Sequence, residues 1–148
     1  MKAFTAATVV LSIGVSACGL LPIPPPIEGI GPNAPAMVAS RIPVPSCGVE
    51  RGGHDGPWNI EGRACFWQAY RARRPAEFIS TRPTIEGDPI TSIYRVLPDG
   101  SVEVFIDSTQ DTFGSGKWSH ATCRTLSEQV GADLDFGPDD TCVFVDIT

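Results

Sequence analysis

Apolar and polar positions alternate at two different periods along this chain, and the change of period marks out its elements. In "IEGRACFWQAYRARR" (60–74), Cys65, Phe66, Ala69 and Tyr70 share a face at helical spacing. Asn59 precedes the run and Pro75 follows it. Asparagine accepts from free first-turn N–H groups and proline cannot continue a helix, so the pattern predicts a helix ending before Pro75. Three strand-like runs come next, at residues 76–85, 90–97 and 101–107. The last sets Val102, Val104 and Ile106 against Glu103 and Asp107, the alternation of a half-buried strand. "EGDP" (86–89) and Pro98-Asp99-Gly100 separate the three runs with turn chemistry, the second as a tight hairpin. Cys123, Leu126 and Val130 predict a second short helix over residues 119–130, stopped by Gly131. "CVFVDI" (142–147) reads as a final strand. The order predicts an α+β fold. Its small antiparallel sheet is a three-strand meander plus a C-terminal strand, with one or two helices on one face.

The chain begins with no such period. Met1-Lys2 is a short positive start, and residues 3–17 ("AFTAATVVLSIGVSA") carry no charge. Spanning a bilayer takes ~20 apolar residues, so this run is too short and has the length of a signal-peptide core. Extending it as a helix would mean passing Pro22, Pro24, Pro25 and Pro26. Val15-Ser16-Ala17-Cys18 resembles the lipobox of bacterial lipoproteins: a branched apolar residue, two small residues, then cysteine. The resemblance implies that the Cys18 thiol receives a diacylglycerol group and that the chain is cut just before it. Gly19 differs from the aspartate that marks inner-membrane retention in some Gram-negative lipoproteins. The expected organisation is a lipoprotein signal peptide (1–17), a lipidated cysteine with a proline-rich tether (18–45), and a globular domain (46–148). The membrane is then a partner through the lipid, on the extracytoplasmic face. Ordinary secretion, with Cys18 a bystander, is the alternative.

Eight prolines lie between Pro22 and Pro45. Such a segment favours extended polyproline II over a ladder or an α-helix. At ~3.1 Å per residue, roughly 28 residues reach on the order of 85 Å, enough to lift a domain off a membrane.

Seventeen acidic residues against eleven basic ones give a net charge of −6, which argues against a nucleic-acid partner. Residues 99–148 hold ten acids but only Lys117 and Arg124 as cations, whereas 62–74 carries Arg63, Arg71, Arg73 and Arg74. Solvated surface is the ordinary reading of both stretches. Two lysines, nine arginines and fourteen prolines hint at a GC-rich bacterial genome.

Setting Cys18 aside leaves Cys47, Cys65, Cys123 and Cys142. An even count in an exported chain reads as two disulfides, with three connectivities open. A domain of about a hundred residues buries only ~60–65% of its extended-chain surface, so staples are useful. Cys47 precedes the folded region and would pin its start to the first helix, which carries Cys65. Cys123 and Cys142 flank an acidic stretch whose repulsion a crosslink would restrain. The expected pairs are therefore Cys47–Cys65 and Cys123–Cys142, with crossed pairings as the alternative. A metal site lacks CxxC spacing and paired histidines.

"TIEGDPITSIYRV" (84–96), "DSTQDTFG" (107–114) and the cysteine soon after resemble a domain family of unknown function found in small bacterial lipoproteins and secreted proteins. The resemblance covers residues 76–125 and brings no activity with it.

Candidate chemistry is sparse. "FGSGKWS" (113–119) ends like a phosphate loop, but Asp111 stands where the first glycine belongs, and Trp118 follows Lys117. His54, in a glycine-rich loop, and His120, expected in the first turn of the second helix, are the general-base candidates near neutral pH. No Gly-x-Ser-x-Gly elbow accompanies them. Glu86, Asp88, Asp107 and Asp111 offer oxygen ligands of the kind calcium takes, although turn aspartates more often serve as caps. Trp58, Trp67 and Trp118 could line a binding face; Trp67, on the helix, is expected in the core. No cofactor is expected. The reading is a lipid-anchored binding or envelope-interaction module for a protein or wall ligand; the alternative is a hydrolase-type enzyme using His54 or His120.

Overall fold

Two layers pack against opposite faces of one sheet, and each has its own apolar core. The computed structural model describes residue 30 and residues 33–53, 56, 58–129 and 135–148. Among these, β1 (Ser46–Arg51), β2 (Ala76–Pro83), β3 (Pro89–Val96), β4 (Val102–Asp107) and β5 (Trp118–Cys123) run in order across the sheet. A last strand, β8 (Val143–Ile147), closes the far side. The strands β6 (Leu126–Gln129) and β7 (Asp135–Pro138) form a separate antiparallel pair. β1 lies parallel to β2, and the other neighbours are antiparallel. The fold is α+β with a mixed six-stranded sheet.

The helix α2 (Ile60–Arg71) returns the chain from β1 to β2. Its start is capped as the sequence predicts: the Asn59 side chain accepts from the Gly62 N–H at 2.9 Å. It ends one turn earlier than the proline requires. Arg73 takes a left-handed φ of 50°, and the Arg74 N–H closes back on the Ala69 carbonyl. Phe66, Trp67 and Ala69 face the sheet, packing on Phe78, Tyr94, Val96, Val102 and Val104. Phe136 of β7 lies among the rings, with centroids 5.1 Å from both Phe66 and Tyr94. Trp67 is in this core, as its place on the helix predicts.

The meander holds as expected. Gly100 takes a φ of 82° in the β3–β4 turn, where Asp99 accepts from the Ser101 N–H. Both expected disulfides are present, Cys47–Cys65 and Cys123–Cys142, with Cα atoms 5.6 and 4.2 Å apart. The first joins β1 to α2.

Three expectations are corrected. Residues 119–130 form β5 and β6, not a helix, because β4 offers its whole length for pairing and every residue of β5 has a partner on it. Tertiary pairing outweighs the weak helical preference of this Trp-, His- and Thr-containing run. Second, residues 46–51 form a strand with no apolar alternation, so the sheet is mixed and larger than a purely antiparallel one.

Third, the folded part does not begin at residue 46. The helix α1 (Ala36–Ala39) makes one turn between prolines, and its Val38 is fully buried against Ile79, Ile93, Phe105 and Trp118. Ile30 and Ala34 pack on the same cluster. Residues 33–45 thus lie as a strap over the sheet face opposite α2. No helix among the described residues is long and apolar enough to cross a membrane.

Candidate functional site

The two turns at one end of the sheet are fastened together. Asp88, after the β2–β3 turn, accepts from the Thr112 N–H of the β4–β5 loop at 2.8 Å. Each partner is held by its own loop. The Thr84 side chain accepts from the Asp88 N–H, and Thr84 and Asp88 also bond through their backbones. Asp111 accepts from the N–H groups of Phe113 and Gly114, and the hydroxyls of Ser108 and Ser115 bond across the loop. Two large apolar residues stand beside this junction: Ile85 is 89% exposed and Phe113 79%. Exposed apolar side chains on loops fixed by their own hydrogen bonds carry little ordering cost on association, the property of interface anchors.

The carboxylates singled out as cation ligands are distributed through this region but do not converge. Glu86 is exposed, and Asp88 and Asp111 accept from backbone N–H groups. Asp107, at the end of β4, accepts from the N–H and hydroxyl of Thr109. Among the described residues, no three His, Cys, Asp or Glu side chains are grouped to hold a metal ion. Asp107 and Asp111 do the turn capping that short acidic side chains perform, and Asp88 joins the two loops.

His120 lies in the middle of β5 rather than in a helical turn. Its ring stacks on Phe105 with centroids 4.7 Å apart, and its Nε2 lies 3.0 Å from Glu103 Oε1. A ring and a carboxylate are two parts of a hydrolytic triad, but among the described residues no hydroxyl or thiol is hydrogen-bonded to the ring. Instead, Glu103 continues into Arg95, and Arg95 into Glu77, which Arg41 of the strap grips with two bonds of 2.7 and 2.8 Å. The chain of charges fixes the strap to the sheet. His54 lies outside the described residues.

A second polar cluster sits behind the start of α2. Glu50, buried to 2% exposure, receives Arg63 through bonds of 2.6 and 2.7 Å, Ser80 at 2.9 Å and the Asn59 N–H at 2.9 Å. Burial would raise this carboxyl, but those bonds and the charge of Arg63 outweigh it and hold the group below its ordinary value. The guanidiniums of Arg63 and Arg82 each lie over Trp58, 4.6 and 4.7 Å from a ring centroid. This cluster locks β1, α2 and β2 together, and Trp58 is spent on it rather than on a binding face.

Sequence reading missed both charge clusters, although signals were present. Arg63 keeps helical spacing with Phe66 and Trp67, and Arg95 alternates in step with Ile93. No family model matches the chain, and no curated protein or solved structure is significantly similar to it.

Proposed function

We propose that this chain is a bacterial lipoprotein held through Cys18 on the extracytoplasmic face of a membrane, its folded part a non-catalytic binding module. The observation that carries the binding role is the fastened loop pair with Ile85 and Phe113 held into solvent. It coincides with the two sequence stretches, "TIEGDPI" and "DSTQDTFG", that carry the domain resemblance. Two disulfides accord with an exported, oxidising location.

The strap changes the expected geometry of attachment. Cys18 and Ile30 are twelve positions apart, so the chain between lipid and fold reaches at most about 40 Å, half of what a tether to residue 45 would give. The module works close to the membrane, on a partner of the envelope or wall.

Anchoring is tested by Cys18→Ser, which should remove the lipid mass and shift the protein from the membrane to the soluble fraction. Retention in the membrane, with no lipid on the wild type, would refute it. Binding is tested with a photoreactive residue at position 113 of the anchored chain. Envelope adducts should form there and be lost with Ile85→Asp, while the same group at the exposed Glu61 gives none. Equal labelling from both positions would remove the loop pair from consideration.

A further inference from the structure

β8 is an outer strand of the sheet, yet three consecutive large apolar residues on it face solvent. Val143 is 72% exposed, Phe144 38% and Val145 54%. All five residues pair regularly with β5, so the opposite edge presents an even row of backbone donors and acceptors. Edges of this kind template the addition of another strand, and proteins ordinarily blunt them with proline, charge or bulges.

The other edge of the same sheet is blunted in all three ways. Pro45 precedes β1, Glu50 and Arg51 end it, and its register with β2 slips between Ser46 and Val49 around Gly48, whose φ is 106°. Of the two edges of the six-stranded sheet, β8 is the one left open for pairing.

The residues of β8 also fix what fits there. The register with β5 places Val143, Val145 and Ile147 beside Thr122, His120 and Trp118, on the strap face. Phe144 and Asp146 fall on the face that carries α2. We propose that β8 pairs antiparallel with β8 of a second copy, with Val145 on the two-fold axis. This is the one two-fold register that pairs all five residues of both strands. On the strap face, each Val143 then meets the other copy's Ile147, giving an unbroken apolar row through both Val145 side chains. On the α2 face, each Asp146 stands opposite Phe144 of the other copy. The two carboxylates are kept from facing one another, and each retains its Lys117 partner at 2.7 Å.

Such an interface is isologous, and it uses both open edges at once. With β1 unable to accept a strand, assembly closes at two copies and cannot run on into a fibre. The proposal stands independently of what the Ile85 and Phe113 loops bind.

The test is the mass of the full chain, extracted from membranes in mild detergent, by light scattering on a sizing column. The wild type should have twice the protein mass of one chain, and Val145→Lys should halve it. Phe113→Asp, at the distant loops, should leave the mass unchanged. Register is read with a short bis-maleimide: Val145→Cys should link two copies, and Val143→Cys, which faces Ile147, should link at least tenfold less. A monomeric wild type at roughly 100 µM would overturn the proposal, since stable complexes bind well below that concentration. So would a dimer mass untouched by Val145→Lys, or linkage at 143 in preference to 145.

Discussion

Arg95 donates a hydrogen bond to the backbone carbonyl of Ile42, fifty-three residues earlier in the chain. The same guanidinium, 2% exposed, pairs with Glu77 and Glu103, so one buried cation joins β2, β3, β4 and the strap. Removing one member of such a group leaves uncompensated charge in a dry place, which costs more than the intact pairs contribute. The bond decides which parts of the chain belong to the fold.

A chain that starts at Ser46 should therefore be less stable than one that starts at residue 30. It would lose Val38, Ala34 and both Arg41–Glu77 bonds, uncovering Ile79, Ile93, Phe105 and Trp118. The point variant Val38→Ala should cost roughly 1–3 kcal/mol, as a cavity in a buried site does. Urea midpoints, together with a red shift of Trp118 emission in the shortened chain, check this. Equal midpoints would show that the strap contributes nothing.

Glu50 sets a pH dependence whose sign is fixed by its environment. The carboxyl is depressed in the fold below its ordinary 4.5, with the donors around it overcoming the effect of burial. Its contribution is therefore complete above the unfolded value and is lost as pH falls through the lower folded value. Glu50→Gln should be less stable than wild type by about 3 kcal/mol at neutral pH, because the buried Arg63 loses its carboxylate. The gap between the two should narrow as pH drops below about 4.5. Midpoints measured across that window test it, and two parallel curves would be inconsistent with the assignment.

Each disulfide closes a short loop, with sequence separations of 18 and 19. Replacing either pair with serine should cost on the order of 3 kcal/mol by the chain-entropy argument. Peptide mapping without reduction should yield the fragments 47/65 and 123/142 together, and a 65/123 fragment would contradict the fold.

Gly62 gives a prediction against helix propensity. Alanine is the better helix former by about 1 kcal/mol, so Gly62→Ala should stabilise an isolated α2. In the fold a Cβ there would lie 2.7 Å from the Cys47 carbonyl oxygen and 2.8 Å from the Phe78 ring. The substitution should lower the thermal midpoint of the whole protein, and a rise would mean that α2 shifts freely against β1.

The meander and α2 were legible in the sequence because their signals are local: Asn59 as a cap, the Val102–Val104–Ile106 alternation, Pro98-Asp99-Gly100 as a turn. The disulfides were legible because each closes a short loop between neighbouring elements. What escaped is set by distant partners. β5 is a strand because β4 lies beside it, and "GADLDFGPDD" looks like an acidic loop until Phe136 is seen among Phe66, Phe78 and Tyr94. The proline-rich stretch reads as linker because nothing near Val38 in sequence reveals the pocket between Ile79 and Phe105. At the candidate site, Asp88 and Asp111 were visible as turn residues. The bond from the Thr112 N–H to Asp88, 24 residues apart, was not.

The strap also dictates an order of assembly. A chain is made from its N-terminus, and both disulfides join residues that emerge close together in time. Val38 and Arg41 are among the first folded residues to emerge, yet Phe105, Arg95 and Glu77, which hold them, follow much later. Contacts of such long separation form slowly, after the local turns of the meander. Until β4 is complete, Ile79, Ile93 and Phe105 have no cover, so a stalled or truncated chain carries a bare apolar sheet face. The earliest described segment of this fold has to wait for strands that follow it by about sixty residues.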